Sequence, residues 1–181
     1  YELDAGLEDR LPSLVVESDL RGDLHLHSEY SLLDGGNRID RLIERVKSLG
    51  MGAVALTDHG NLFGAWEFYT AAKEKGVNPI VGCEVYVAPG SRHTRGKDQG
   101  GPYHLTLLSE NITGYKNLMR LVSLGYTEGF YSKPRIDMEI LREHHEGIIA
   151  LTGCIQGFVP ALLVSNKRDK ALENFALLKE I

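Results

Sequence analysis

Three features that often mark a function class are scarce in this sequence. Only two of its 181 residues are cysteines, whereas a secreted disulfide framework usually has more. No apolar run approaches the roughly 20 residues that a membrane-spanning helix needs. Basic residues are not in excess, since 20 Lys and Arg stand against 25 Asp and Glu. These scarcities argue against a disulfide-rich secreted protein, a membrane protein and a basic protein that coats nucleic acid, and we expect a cytoplasmic protein.

Apolar residues recur with periods that predict alternating strands and helices. Residues 37–50 predict an amphipathic helix that starts at the N-cap Asn37 and ends at Gly50. Residues 52–57 are almost wholly apolar and predict a buried strand. The other predicted strands are 22–27, 78–88, 103–109 and 146–153. The other predicted helices are 63–76, part of 111–129, 138–145 and two pieces within 159–181. This order predicts an α/β fold with a parallel sheet, preceded by a lead-in segment at residues 1–20.

Two histidines one residue apart, His25 and His27, end the first predicted strand, and Asp34 follows in the next loop. Side chains two residues apart on a strand point to the same face of the sheet. His-x-His is therefore compatible with a metal site, but the pattern alone is weak evidence. Two histidines that simply alternate on a strand would look the same.

The other predicted strands also carry potential metal ligands, and in a barrel the working residues lie at the carboxyl ends of the strands. The candidates are Asp58, His59, Glu84, His104 and Cys154. Singly, each has an ordinary explanation as a turn cap, a salt-bridge partner or a core residue. Together they are costly to bury unless they are paired or metal-bound. Mixed nitrogen, oxygen and sulfur ligands favour Zn or Mn, and a bridging carboxylate can hold two ions close together. Cys83, beside Glu84, should point to the opposite face and serve as buried packing.

The motifs that contain these residues resemble the PHP (polymerase and histidinol phosphatase) domain of bacterial C-family replicative DNA polymerases, the DNA polymerase III alpha subunits. The matching stretches run from about residue 25 to the end: "HLHSEYSLLDGG", "ALTDHG", "VGCEVYVAPGSR", "YHLTLLSENITGYKNLMRLVS", "EGFYSKPRID" and "GIIALTGCIQGFVP". The lead-in "DLRGDLH" is similar instead to the PHP domain of family X DNA polymerases. We therefore expect residues 21–181 to be a PHP domain.

The resemblance implies a distorted barrel of about seven βα units, of which this sequence would hold about five. It also implies a cluster of two or three divalent ions bound by nine ligands. Seven of the ligand positions match residues of this sequence, namely His25, His27, Asp34, His59, Glu84, His104 and Cys154. His25, His27, Asp34 and His59 are also the expected catalytic residues. The last two ligands would come from an Asp-x-His after a later strand that this sequence does not reach, so we expect a cluster that is incomplete here or completed by another chain.

The function that the resemblance implies is 3′–5′ exonuclease or phosphoesterase chemistry on DNA. The expected partners are a DNA 3′ end or single strand, the remainder of the polymerase and a proofreading exonuclease subunit. One alternative is a non-catalytic domain that supports the polymerase or docks the proofreading subunit. A second is a small-molecule phosphoesterase like histidinol phosphatase, although "EGFYSKPRID" favours the polymerase family.

Several basic residues lie in two loops that could meet the phosphates of DNA. We expect phosphate contacts from Arg92, Lys133 and Arg135, with Arg95 and Lys97 as further basic residues of the first loop. The alternative, that these are ordinary charged loop residues, is about equally well supported by the sequence alone.

Overall fold

The computed structural model describes residues 21–96 and 101–179, so the lead-in segment and Lys97 lie outside the described residues. The described part contains six strands and six helices. Their bounds are β1 Gly22–Asp23, α1 Ile39–Ser48, β2 Ala53–Leu56, α2 Ala65–Lys75, β3 Asn78–Val87, β4 Tyr103–Ser109, α3 Ile112–Thr127, β5 Arg135–Ile136, α4 Met138–Glu143, β6 Ile148–Leu151, α5 Pro160–Val164 and α6 Arg168–Lys179. None of these described helices combines the length and the apolar character that crossing a membrane requires.

The strands form one sheet in the order β1-β2-β3-β4-β6, and β5 pairs with β3. The pairs β1–β2, β2–β3 and β3–β5 are parallel, whereas β4 is antiparallel to both β3 and β6. The predicted α/β class is confirmed, but the expectation of an all-parallel sheet is wrong at β4. The described part of 88–102, which joins β3 to β4, contains no crossover helix, so β4 returns beside β3 in the opposite direction.

This reversal defines one end of the sheet, which we call the rim. At the rim β2, β3 and β6 finish and β4 begins, because Tyr86 near the end of β3 pairs with His104 near the start of β4. Thr106 pairs with Leu151 at the end of β6. The rim therefore collects side chains from the finishing ends of three strands and from the starting end of a fourth.

Two element boundaries differ from the sequence prediction near the first histidines. β1 ends at Asp23 instead of continuing through residue 27. The Asp23 carboxylate accepts a hydrogen bond from the backbone N–H of His25 at 3.0 Å, a local contact that competes with strand pairing. Asn37 is not the N-cap of α1, a position that Arg38 occupies. The Asn37 side chain instead donates to the backbone carbonyl of His27 at 2.9 Å, which ties the start of α1 to the histidine segment.

The core is made of two apolar clusters, one within residues 39–77 and one within residues 83–171. The predicted stripe of α1, formed by Ile39, Leu42, Ile43 and Val46, is buried against β2 and α2, and Phe68 of α2 belongs to the same cluster. The second cluster joins β3 and β4 to α3 and includes Cys83, which is fully buried as predicted. Burial raises the pKa of the Cys83 thiol well above its usual range. Because side chains alternate on a strand, Glu84 points to the face opposite Cys83.

Arg92 holds the loop after β3 against α3 and α4. Its guanidinium contacts Glu128 at 2.8 Å, Asp137 at 3.1 Å and Glu139 at 2.9 Å. Asp137 is buried, and its carboxylate also accepts the backbone N–H groups of Arg92 and Ile140, so it caps α4 as well. Glu139 is mostly exposed. The same guanidinium therefore has one buried partner and one that faces water.

We expect Asp137→Ala to lower the free energy of unfolding by about 3 kcal/mol, since it removes a helix cap and leaves Arg92 without its buried partner. Glu139→Ala, the matched control on the same guanidinium, should cost less than about 1 kcal/mol. Urea unfolding followed by circular dichroism measures both. Equal costs for the two variants would contradict this account.

Candidate metal centre

Asp58 fixes the segment that carries the first histidines. It follows β2, is almost fully buried, and accepts three hydrogen bonds at 2.7 Å each, from the backbone N–H and hydroxyl of Ser28 and from the hydroxyl of Ser31. The backbone N–H of His59 donates to the Ser31 hydroxyl at 3.1 Å. Among the candidate ligands, Asp58 therefore acts as a support that holds the histidine segment onto the end of β2.

The histidine segment also lies along β2 through Thr57. The Thr57 side-chain oxygen contacts both the backbone N–H and the carbonyl of Leu26, at 2.9 and 3.0 Å, and the Thr57 backbone N–H donates to the same carbonyl at 2.8 Å. Leu26 is thereby fixed between His25 and His27. The two imidazoles on either side are directed to the same region although β1 ends before them.

Glu84, in the interior of β3, is the centre of the cluster. Its side chain is 2% exposed, and four imidazoles surround its two carboxylate oxygens. His25 Nε2 contacts Oε2, and His27 Nε2 lies 3.1 Å from the same oxygen. On the other side, His104 Nδ1 contacts Oε1, and His59 Nδ1 lies 3.8 Å from it. One carboxylate thus faces two pairs of histidines through separate oxygens.

These side chains form two overlapping groups that could each hold a divalent ion. His25, His27 and Glu84 form one group, and His59, His104 and Glu84 form the other, with the ligand atoms of each within 4.8 Å of one another. Two imidazoles and a carboxylate are a ligand set that suits Zn, Mn or Fe. Because Glu84 belongs to both groups, it is placed to bridge a pair of ions.

The last two candidate ligands lie at the edges of the cluster. Asp34 Oδ2 is 3.0 Å from His59 Nε2, and the Asp34 side chain is 58% exposed. Cys154 follows β6, and its Sγ is 3.8 Å from His104 Nδ1. The structure therefore brings all seven candidate ligands into one network of contacts at the rim.

The electrostatics of the cluster fit a bound cation. Burial raises the pKa of Glu84, but contacts with His104, His27 and His25 outweigh burial and hold that pKa well below its usual range. The hydrogen bond with Glu84 raises the pKa of His27, whereas burial lowers the pKa of His59. In the part of the chain that the structure describes, His27 Nδ1 and His59 Nδ1 are buried without a hydrogen-bond partner. His59 Nδ1 faces the buried Glu84 carboxylate at 3.8 Å, and an unpaired imidazole nitrogen beside a buried anion is the arrangement that a metal ion would satisfy.

A sequence profile of the PHP domain matches residues 23–181. The chain belongs to the PHP domain family. It is 50% identical over 153 residues to the DNA polymerase III subunit alpha of Treponema pallidum, covering 83% of this chain and 13% of that protein. It is 51% identical over 153 residues to the subunit alpha of Thermus aquaticus, covering 82% of this chain and 12% of that one.

This PHP domain chain thus spans only about an eighth of the length of these relatives. Among solved structures, it is similar to an amidohydrolase from Chromobacterium violaceum, with a TM-score of 0.43 and 21% identity over 88% of this chain and 51% of that one.

The three predicted phosphate contacts differ in what they already bind. The Arg92 guanidinium is held by three carboxylates, and Arg135 is buried and donates to the backbone carbonyls of Gly129, Arg92 and Thr94 at 3.0 Å each. Lys133 Nζ instead lies 4.2 Å from the centre of the Tyr86 ring. A phosphate role for all three stays a prediction, and the described contacts favour Lys133.

Tyr86 is a residue of this PHP domain that the sequence analysis missed. Its ring is stacked with His59 at 6.0 Å and meets His104 edge-on at 5.2 Å, between ring centroids. Burial raises the pKa of Tyr86 to about 12, so its hydroxyl stays protonated near neutral pH. The position of Tyr86 two residues after Glu84, on the same face of β3, is the signal that could have identified it.

We expect Glu84→Ala to remove more bound metal than His25→Ala or His104→Ala, because only Glu84 belongs to both groups. The measurement is elemental analysis after loading with Zn or Mn and removal of free ions by gel filtration. Cys83→Ala, on the other face of β3, is the matched control and should keep its metal. If Glu84→Ala retained as much metal as the single-histidine variants, a bridging role would be excluded.

Gly35 next to Asp34 has no room for a side chain. A Cβ at Gly35 would lie 1.8 Å from the carbonyl oxygen of Ser28, whereas a Cβ at Gly36 would meet nothing within 4 Å. We expect Gly35→Ala to cost about 1–3 kcal/mol of unfolding free energy and to weaken metal binding, since the Ser28 segment must move. Gly36→Ala should change both by little. Thermal unfolding with and without Zn compares the two variants, and similar behaviour would contradict the close approach.

Proposed function

We propose that this chain is the PHP domain of a cytoplasmic, DNA polymerase III alpha-type replicative polymerase and that its rim hydrolyses phosphodiester bonds at DNA 3′ ends. The observation that carries this proposal is the pair of ligand groups that share Glu84. The identity of about half of the aligned residues to DNA polymerase III subunit alpha supports the assignment to replication. Zn or Mn is the metal that the mixed ligand set favours.

Seven residues would hold two or three ions. His25 and His27 with Glu84 form one site, and His59 and His104 with Glu84 form the next, while Asp34 and Cys154 complete the edges. Divalent ions at such a centre supply Lewis-acid stabilisation of the charge on a phosphoryl group and activate water.

The protein's own groups prepare this chemistry in two ways. Asp34 Oδ2 lies 3.0 Å from His59 Nε2. When Asp34 accepts the Nε2–H of neutral His59, the imidazole presents an unprotonated Nδ1 on the side of Glu84, which is the form that binds metal. Lys133, held over the ring of Tyr86, places a positive charge beside the cluster where a DNA phosphate would lie.

A metal-binding but non-catalytic PHP domain is the main alternative, in which the ions stabilise the fold and the domain supports the polymerase or docks a proofreading subunit. A histidinol-phosphatase-like activity on a small molecule is less well supported, since the curated relatives quoted above are polymerase subunits.

We expect the chain loaded with Zn or Mn to shorten an end-labelled single-stranded DNA from its 3′ end. The double variant His25→Ala/His27→Ala should cleave at least about a hundredfold more slowly, because it loses two ligands of one group. His93→Ala, which changes an exposed histidine outside the cluster, is the matched control and should cleave like the wild type. Gel electrophoresis of timed reactions measures all three.

Two outcomes would decide against this proposal. Equal cleavage by the wild type and the double variant would show that the activity arises elsewhere. A wild-type chain that binds metal but leaves DNA intact would favour the supporting role instead.

A further inference from the structure

The end of α3 lies at the rim, beside the candidate metal centre. β4 starts at the rim and runs away from it, so α3, which follows β4, begins at the far end and returns. The start of α3 packs at that far end, where Gly114 meets the backbone of Gly147 just before β6. Its end packs at the rim, where Gly125 lies against Pro134 and Pro134 lies against Gly60 of the loop that carries His59.

Two aromatic side chains are exposed where α3 ends. Tyr126 is 40% exposed and Phe130 is 49% exposed. Their rings are nearly parallel, at 22°, with centroids 6.2 Å apart. We call this pair the aromatic platform. Large rings held side by side with much of their surface open to water are a common feature of surfaces that bind a ligand or partner.

A positive charge links the platform to the metal centre. Lys133, three residues after Phe130, places Nζ 4.2 Å from the centre of the Tyr86 ring, and that ring contacts His59 and His104. Lys133 directly precedes Pro134, which lies against Gly125 near the end of α3 and against Gly60 beside His59. The order along the rim is therefore aromatic platform, lysine, metal cluster.

We propose that the aromatic platform stacks an unpaired base of a single-stranded nucleic acid while Lys133 contacts its phosphate, which leads the 3′ end toward the cluster. This inference rests on the proposed function and adds a binding surface to it. Stacked aromatic side chains beside a cation are how proteins bind single strands without reading sequence. A base inside a duplex has both faces covered by its neighbours, and a base at a blunt end has one face covered and is held by pairing, so the platform favours unpaired bases.

The charge of the chain supports a stacking contribution. The net charge is −5, so general attraction to the phosphate backbone is weak and affinity must come from local contacts. Two of the three basic residues considered above, Arg92 and Arg135, donate their guanidinium groups to protein oxygens. Stacking does not depend on net charge, so it can contribute binding free energy where electrostatic attraction to the phosphates is weak.

The test is binding of a fluorescein-labelled twelve-nucleotide oligo(dT), about the span of one single-strand site, measured by fluorescence anisotropy in EDTA. Without metal no hydrolysis occurs, so the result does not depend on the proposed activity. We expect tighter binding to the single strand than to a blunt hairpin duplex. Phe130→Leu should weaken single-strand binding about fivefold or more, whereas Tyr126→Phe, which keeps the ring, should change it by less than about twofold.

A second aromatic pair in the chain gives a matched control. Trp66 and Tyr69 are also stacked and exposed, with Lys73 Nζ 5.7 Å from the Tyr69 ring. They line a groove with Pro79 and Ser109, at the end of the sheet away from the rim. Tyr69→Leu should therefore leave single-strand binding unchanged. Equal weakening by Tyr69→Leu and Phe130→Leu would overturn the proposal.

Two further results would also overturn it. One is a Phe130→Leu variant that binds the single strand as tightly as the wild type does. That result is expected if the platform serves to pack against another part of a polymerase instead of against a base. The other is equal affinity for the single strand and the hairpin. A chain that binds single strands through Phe130 but never hydrolyses them would support the platform and contradict only the proposed activity. The circular dichroism spectrum of each variant checks that it is folded.

Discussion

Glu84 is the residue on which the arrangement of the rim depends. A carboxylate that is 2% exposed in the interior of a strand is costly unless positive or hydrogen-bonding groups surround it. Four imidazoles from three different parts of the chain do so, two at each oxygen. The histidines and the carboxylate stabilise one another, which explains how a cluster of ionisable groups persists at the end of a buried strand. The same geometry places Glu84 in both groups of candidate ligands, where one carboxylate could bridge two metal ions.

A second layer of contacts holds the histidines where Glu84 needs them. Asp58 binds Ser28 and Ser31, and Asn37 binds the carbonyl of His27, so the loop between β1 and α1 is fixed at both of its ends. Hydrogen bonds that an ionised carboxylate accepts are stronger than those between two neutral groups. Preorganisation of this kind lets the ligands face a cation without a large rearrangement, and this favours tight binding.

The sequence predicted most helices and strands because their apolar periods are strong, as in the α1 stripe from Ile39 to Val46, which is entirely buried. It also predicted the residues that converge at the rim. It failed where a single local contact outweighs periodicity: Asp23 ends β1 early, and Asn37 binds His27 instead of capping α1. It also missed the direction of β4, because strand polarity depends on how the connection is made and not on the strand's own residues. The supporting role of Asp58 could not be predicted, because it depends on Ser28 and Ser31, which only the fold brings against it.

The reversal of β4 is what turns a row of strand ends into an enclosed site. In an all-parallel sheet, β4 would start at the end of the sheet away from the rim. His104 would then be far from Glu84, and the second ligand group could not form. Because β4 runs backward, His104 pairs with Tyr86 and its imidazole reaches Glu84. The same reversal sends α3 back toward the rim, and this places Tyr126 and Phe130 beside the cluster. One change of strand direction therefore accounts both for the second group of candidate ligands and for the aromatic surface next to it.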